Sequence, residues 1–190
     1  MDITTTSEVR ETANRAEAAA ANVMIPQRGG NQYLTFTAAG TTYAMSIVST
    51  KEIIEYGSVT RIPLMPAFIR GVINVRGLVL PVIDLAARLG FPPARPGRRS
   101  CIVIVEMTHE GETFDLGVVV DGVNEVLELD QDDLEPPPRF GANIRSDFIE
   151  AMAHVHGHFV IVMHLEQVLS IEEVSDLARV SESRQLLVHH

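Results

Sequence analysis

The feature that most constrains this chain is a sequence pattern that occurs twice, eighty residues apart. The first copy has two apolar runs, residues 72–75 and 78–83, joined by Arg76 and Gly77. Such a pattern predicts a strand, a tight turn and a second strand. When Gly157 is aligned with Gly77, apolar residues again fall on both sides of the turn. The repeat predicts a chain built from two copies of one β unit.

Two further pairs of segments support the repeat, and they occur in the same order. Residues 40–45 match residues 111–116, and residues 52–55 match residues 125–128. Alternating apolar and polar residues within each copy predict five short strands. Five strands of this length suit a small closed barrel, which also leaves no exposed strand edge. The predicted fold class is therefore all-β, with two five-stranded barrels and short helices.

The predicted domain organisation follows from changes in composition along the chain. A polar, alanine-rich segment opens it, and a segment rich in proline and arginine follows residue 90. We expect a flexible N-terminal arm at residues 1–31, a domain at 32–180 and a tail at 181–190. Within the domain we expect a first barrel at about 32–90, a second barrel at about 99–164 and closing helices at 165–178.

Two residues in the first hairpin carry local predictions. Pro81 lacks a backbone N–H, so the second strand of this hairpin is predicted to be an edge strand or to contain a bulge at that position. Asp84 precedes residues 85–89, which is typical of a helix N-cap followed by a short helix. We therefore interpret Asp84 as a cap and not as a catalytic acid.

Composition excludes several classes of function. A net charge of −10 and a pI near 5.1 argue against nonspecific nucleic-acid binding, which needs a basic face. The chain has no tryptophan, which also argues against a base-stacking platform. Its apolar runs are too short to span a bilayer, and no signal peptide is evident, so a cytoplasmic protein without membrane insertion is expected. The single cysteine, Cys101, lies in an apolar run and is predicted to be a core residue.

Four histidines form the one cluster with a metal-binding pattern. His154, His156 and His158 are alternate residues of a predicted hairpin, and His164 follows it. Alternate strand residues share a face, so the spacing permits a zinc site. However, no carboxylate lies nearby in a ligand-like pattern, and His156 occupies the place of Arg76 as a turn residue. We therefore predict no metal site.

No motif for covalent or phosphate chemistry is present in the sequence. It lacks a glycine-rich phosphate loop, a nucleophile elbow, an HExxH motif and paired cysteines. We predict no enzymatic activity and no cofactor, and a metal-dependent hydrolase built on the histidines is the enzymatic alternative. An interaction module is favoured, because Arg76 lies on an apolar hairpin and arginine is enriched at interface hot spots. The opposing interpretation is an arginine that is solvated or paired within the fold.

Four segments of the first copy closely resemble the CheW family of bacterial chemotaxis coupling proteins. They are residues 52–54, 59–62, 66–77 and 82–85, and they include the Asn-x-Arg-Gly hairpin that is the hallmark of the family. The resemblance extends from about residue 33 to residue 178. It implies two SH3-like barrels and a non-enzymatic adaptor that joins the regulatory domain of the histidine kinase CheA to the cytoplasmic tips of chemoreceptors. Other CheW copies are further candidate partners, and an unrelated β-barrel peptide-binding module is the alternative.

The resemblance also implies which residues bind partners. Arg76 and Glu52 match the hairpin arginine of the family and the glutamate thought to pair with it, and Asn74 and Gly77 complete the hairpin motif. Four further candidates for the partner-binding surface are Thr50, Val59, Ile62 and Val79.

Overall fold

The computed structural model describes residues 31–139 and 147–169, which form eleven strands and two short α-helices. The strands are β1 Gln32–Ala38, β2 Thr41–Ser46, β3 Thr50–Glu55, β4 Ile69–Val75, β5 Leu78–Asp84, β6 Cys101–His109, β7 Glu112–Val120, β8 Gly122–Glu128, β9 Leu134–Glu135, β10 Ile149–Val155 and β11 His158–Met163. The helices are α1 Leu85–Arg88 and α2 Leu165–Val168. The all-β class is confirmed. Three predicted segments lie outside the described residues: residues 1–30 of the arm, residues 170–178 of the closing helices, and the tail at 181–190.

The strands form two sheets, and each sheet contains strands from both halves of the chain. One sheet has the order β8-β1-β2-β11-β10-β9, and the other has the order β3-β6-β7-β5-β4. The hairpin β1-β2, from the first half, therefore lies in the sheet formed by strands of the second half. The hairpin β6-β7, from the second half, lies in the sheet formed by strands of the first half. This pairing corrects the predicted barrel boundaries of about 32–90 and 99–164, which assigned consecutive strands to each barrel.

Two parallel ladders connect each hairpin to the sheet of the other half. The sequence pattern did not predict these ladders, because each pairs strands that are far apart in the chain. Ala44 of β2 lies opposite Val162 of β11, and Ile83 of β5 lies opposite Val118 of β7. Alternation of apolar residues identifies a strand and its buried face, but it contains no information about which distant strand is the partner. The assumption that sequential strands pair is only a tendency.

The predicted repeat is visible in the backbone of the two equivalent hairpins. Arg76 and Gly77 have φ values of 52° and 87°, and His156 and Gly157 have values of 50° and 80°. Positive φ at both central residues is the type I′ arrangement, which matches the twist of the flanking strands. Both hairpins also have a bulge at the equivalent point, between Ile69 and Gly71 in β4 and between Ile149 and Ala151 in β10. The repeat is confirmed.

Apolar side chains fill three clusters, one between the sheets and one on the far face of each sheet. Alternate residues of β6 show the pattern, since Val103 faces the central cluster while Ile102 and Ile104 face the cluster enclosed by the five-stranded sheet. The six-stranded sheet has its own enclosed cluster, which includes Ala44 and Val162. Burial on both faces explains why these strands appear in the sequence as nearly continuous apolar runs.

Each sheet closes on itself, because its outer strands contribute to the same enclosed cluster. Ile73 of β4 belongs to the cluster of the five-stranded sheet, and the partly buried Ile54 of β3 packs against it. Ala153 of β10 belongs to the cluster of the six-stranded sheet, and the partly buried Leu127 of β8 packs against it; β9 is a two-residue extension of this sheet. The predicted fold of two five-stranded barrels related by an internal repeat is therefore confirmed.

The prediction that the strand containing Pro81 is an edge strand is wrong, because β5 lies between β7 and β4. Pro81 is opposite Val72, whose N–H donates to the Thr60 carbonyl at 2.9 Å and so points away from β5. The proline nitrogen therefore faces away from β4 as well. The ladder with β7 begins one residue later, at Val82, so the missing N–H removes no ladder hydrogen bond.

Replacing Gly71 by alanine should destabilise the fold by more than about 2 kcal/mol. Gly71 has a φ of 143°, and a Cβ there would lie 2.0 Å from the Thr60 carbonyl oxygen, a backbone atom that cannot rotate away. Gly97→Ala is the matched control, because no atom lies within 4 Å of a Cβ at that position. Urea unfolding of both variants measures the difference, and equal stability would contradict the close approach of the two backbones.

The thiol of Cys101 should be unreactive in the native protein. The residue is buried at the start of β6, and burial raises the pKa of the thiol, so both access and thiolate formation are suppressed. Labelling with Ellman's reagent at about pH 8 should be slow without denaturant, and it should become rapid over the same urea range in which the circular dichroism signal is lost. Rapid labelling of the native protein would contradict the packing described here.

Candidate partner-binding site

An ion pair joins Arg76 to Glu52 where the two edge strands of the five-stranded barrel meet. A guanidinium nitrogen of Arg76 lies 2.7 Å from Glu52 Oε1. The Glu52 side chain is 7% exposed, whereas that of Arg76 is 62% exposed. The pairing implied by the family resemblance is therefore present in the structure. One nitrogen of Arg76 is paired within the fold while most of the side chain faces solvent, which leaves it accessible to a partner.

The hairpin that carries Arg76 is held in shape by its own residues. The Gly77 N–H donates to Asn74 Oδ1 at 3.0 Å, which ties the end of β4 across the turn. Gly77 at a φ of 87° supplies the conformation that the turn requires. Asn74 is exposed, and it lies opposite Val79 on β5. The motif thus fixes the direction in which Arg76 leaves the barrel.

The remaining candidate residues do not form one exposed face. Val79 is half-buried next to Leu78, which is 56% exposed and was missed because an apolar residue after a turn looks like any other strand residue. Val59 packs against the enclosed cluster, and Ile62 is half-buried in the loop between β3 and β4.

The prediction that Thr50 belongs to the partner-binding surface has to be corrected. It is completely buried, and its hydroxyl donates to the Ser46 carbonyl at 3.3 Å. A residue without exposed surface cannot contact a partner, so Thr50 supports the start of β3 and is not part of a binding surface. The family resemblance supplied the position but not the burial of its side chain.

A second, more deeply buried ion pair lies at the other end of the same hairpin. Arg70 is 3.0 Å from Asp84 Oδ2, and the Asp84 side chain is fully buried. Asp84 also accepts hydrogen bonds from the N–H groups of Ala87 at 3.2 Å and Ala94 at 2.9 Å. The predicted helix cap is therefore confirmed. Its partner Arg70 was not identified from the sequence, and Arg70 also donates to the hydroxyl of Tyr56 at 3.2 Å.

The histidine hairpin is built as a turn. His156 has a φ of 50°, and its Nε2 lies 3.8 Å from Glu125 Oε1, so it occupies the place that Arg76 holds opposite Glu52. The ring of His154 lies against that of Phe159, with centroids 5.1 Å apart. The interpretation of His156 as a turn residue is confirmed. Within residues 31–139 and 147–169, no group of three or more His, Cys, Asp or Glu side chains is arranged to hold a metal ion.

A cleft of about 480 Å³ lies beside the two short helices. Its lining includes Arg88 and the aromatic residues Tyr43, Phe91 and Phe148. Arg88 donates from Nε to the Val168 carbonyl at 2.6 Å and lies 4.6 Å from the centre of the Phe68 ring. This arginine therefore links α1 to the end of α2. In the described part of the chain, neither helix is long and apolar enough to cross a membrane.

Removing Arg76 should destabilise the protein by about 1–3 kcal/mol, because it leaves the nearly buried carboxylate of Glu52 without its guanidinium partner. The double variant Arg76→Ala, Glu52→Gln should recover part of this loss, since a neutral amide is less costly to bury.

Lys51→Ala provides the control for this measurement. Lys51 lies 2.8 Å from Asp115 and 2.9 Å from Glu106, but its side chain is 41% exposed, so its loss should cost about 0–1 kcal/mol. Urea unfolding measures all three variants. A double variant that is no more stable than Arg76→Ala would show that the buried carboxylate is not the cause.

Comparison with known proteins shows what the chain as a whole is similar to. Residues 32–173 match the family model described as the CheW-like domain. The chain is 30% identical over 154 residues to the chemotaxis protein CheW of Klebsiella aerogenes, and the match covers 81% of this chain and 90% of that protein. It is 29% identical over 145 residues to the chemotaxis protein CheW of Rhizobium meliloti, with 76% of this chain and 91% of that protein covered.

A solved structure gives the same result at the level of the fold. The crystal structure of the scaffolding protein TtCheW from Thermoanaerobacter tengcongensis matches with a TM-score of 0.64 and 34% sequence identity. The match covers 74% of this chain and 92% of that chain.

Proposed function

Because the chain belongs to the CheW family of chemotaxis adaptor and scaffolding proteins, we propose that it couples the cytoplasmic tips of chemoreceptors to the regulatory domain of the histidine kinase CheA. The family is not a family of enzymes, which agrees with the lack of catalytic motifs in the sequence. The protein acts by holding partners together, and it acts in the cytoplasm, at receptor arrays that it reaches through those partners.

The observation that carries this proposal is the geometry of the Arg76 hairpin. A rigid type I′ turn presents an arginine that is 62% exposed, and the carboxylate of Glu52 orients it from inside the barrel. The neighbouring Leu78 is 56% exposed. Arginine is enriched at interface hot spots, and a fixed backbone lowers the entropy cost of binding.

The candidate residues take different roles in this proposal. Arg76, Asn74, Leu78 and Val79 lie on the hairpin, where a partner contacts them. Glu52 is nearly buried and is a positioning residue that acts through Arg76. Asn74 also keeps the turn closed through its hydrogen bond to Gly77.

Reversing the charge of Arg76 tests the proposal. Arg76→Glu should weaken binding to the CheA regulatory domain or to a receptor tip by at least about thirtyfold, which corresponds to about 2 kcal/mol, because a carboxylate replaces the guanidinium at the contact. Leu78→Asn should weaken binding through the same surface. Leu78 is 56% exposed, so this variant should keep the stability of the native protein. Calorimetric titration of each partner measures both effects.

The matched control is Arg98→Glu, which makes the same charge change at an exposed arginine in the segment between α1 and β6. Its binding should stay within about twofold of the unsubstituted protein, because long-range charge effects are screened beyond about 8–10 Å at physiological salt. Circular dichroism confirms that each variant is folded at the titration temperature. Normal binding of both partners by Arg76→Glu and Leu78→Asn would remove this hairpin from the interface.

A further inference from the structure

Leu64 combines two properties that rarely occur together in a folded protein. It is 101% exposed, whereas the other exposed large apolar residues of the described chain range from 44% to 60%. Its φ is 63°, in the left-handed region that glycine and asparagine favour. A bulky apolar side chain in this conformation is an outlier on both counts, and nothing in the hairpin site described above makes use of it.

The conformation of Leu64 is costly, and the fold gains nothing from the side chain in return. Pro63 and Leu64 form a turn in which the proline comes first and the positive φ second, as in a type II turn. The second position of such a turn is normally glycine or asparagine, because a Cβ is strained there. Since the Leu64 side chain is fully exposed, no burial against residues 31–139 or 147–169 offsets the strain. Strain of this kind tends to persist where a functional contact uses it.

The loop that carries Leu64 is held at both ends. At its start, Thr60 and Val72 exchange two backbone hydrogen bonds of 2.9 Å. At its end, the Ile69 N–H donates to the Pro66 carbonyl at 2.9 Å. Pro63 and Pro66 each have a fixed φ, which lowers the freedom of the segment between them. The leucine is therefore presented on a preorganised loop, so binding through it would require little additional ordering.

We propose that Leu64 is an anchor residue that inserts into a leucine-sized apolar pocket on a protein partner in the adaptor assembly. The inference rests on the proposed function, since it adds a contact to the same assembly. Arg61 lies three residues earlier, is exposed and forms no ion pair within the described residues, so a carboxylate at the rim of the pocket would complement it. A lipid surface fits less well, because one leucine buries little area and a net charge of −10 is repelled by anionic lipids.

Two substitutions at Leu64 separate the anchor from the strain. Leu64→Ala removes the side chain but keeps a Cβ in the left-handed conformation. Leu64→Asn removes the apolar side chain and places a residue that tolerates this conformation. Val48→Ala is the control, because Val48 is also an exposed apolar residue, at 53%, but has no positive φ.

Calorimetric titrations use the CheA regulatory domain and a chemoreceptor cytoplasmic tip as probes. Both Leu64 variants should bind at least one of these probes about tenfold more weakly or worse, with Val48→Ala within about twofold of the unsubstituted protein. In the same preparations, Leu64→Asn should raise the Tm by roughly 1–4 °C, while Leu64→Ala should not raise it. A substitution that stabilises the free protein and weakens the complex is the signature of strain kept for binding.

The titrations distinguish failure of the Leu64 anchor from failure of the proposed adaptor function. If the unsubstituted protein binds either probe and both Leu64 variants bind it equally well, the anchor is overturned while the adaptor function stands. If the unsubstituted protein binds neither probe, the adaptor function fails and the anchor fails with it. Sedimentation with phosphatidylglycerol vesicles that is lost in Leu64→Asn would overturn a protein pocket in favour of a lipid surface.

Discussion

The rest of this structure depends on the exchange of hairpins between the two copies of the repeat. The parallel ladders between β2 and β11 and between β5 and β7 insert the hairpin of one copy into the barrel of the other. Neither copy can complete its barrel with its own strands, so the two barrels must form together. The central cluster between the sheets then binds them into one unit, because residues of both halves fill it. A scaffolding protein gains from this arrangement, since its binding surfaces keep a fixed relation to one another.

Each barrel is closed at a place where a basic turn residue meets a glutamate from the opposite edge strand. In the first barrel the pair is Arg76 and Glu52 at 2.7 Å, and in the second it is His156 and Glu125 at 3.8 Å. The two pairs occupy equivalent positions in the repeat, but the basic residue is arginine in the first and histidine in the second. Arginine is charged at every physiological pH and can donate several hydrogen bonds, whereas histidine is charged only when protonated. The first pair is also the better buried, since Glu52 is 7% exposed and Glu125 is 52% exposed.

The closely packed positions that stabilise the fold and the residues proposed to bind partners lie in different parts of the chain. The strands are buried on both faces and contain the closely packed positions, such as Gly117, where an added Cβ would lie 2.6 Å from a methyl group of Ile102. The residues proposed to bind partners lie outside the strands: Arg76 is in the turn between β4 and β5 and Leu64 is in the loop between β3 and β4, and both have positive φ values. Loops supported by a rigid core are the usual place for such features, because they can be strained or exposed without disturbing the packing.

The sequence by itself determined the fold class, the repeat, most strands, the Asp84 cap and the turn at Arg76 and Gly77, because each of these depends on local spacing or on the conformational limits of single residues. The family pattern added the pairing of Arg76 with Glu52. Only the tertiary structure decided which hairpin enters which barrel, that Pro81 lies inside a sheet, that Thr50 is buried and that Leu64 is fully exposed. The reason is that strand partners and side-chain exposure depend on contacts between residues far apart in the chain. Alternating apolar residues specify a strand and its buried face, but they leave the identity of the neighbouring strand open.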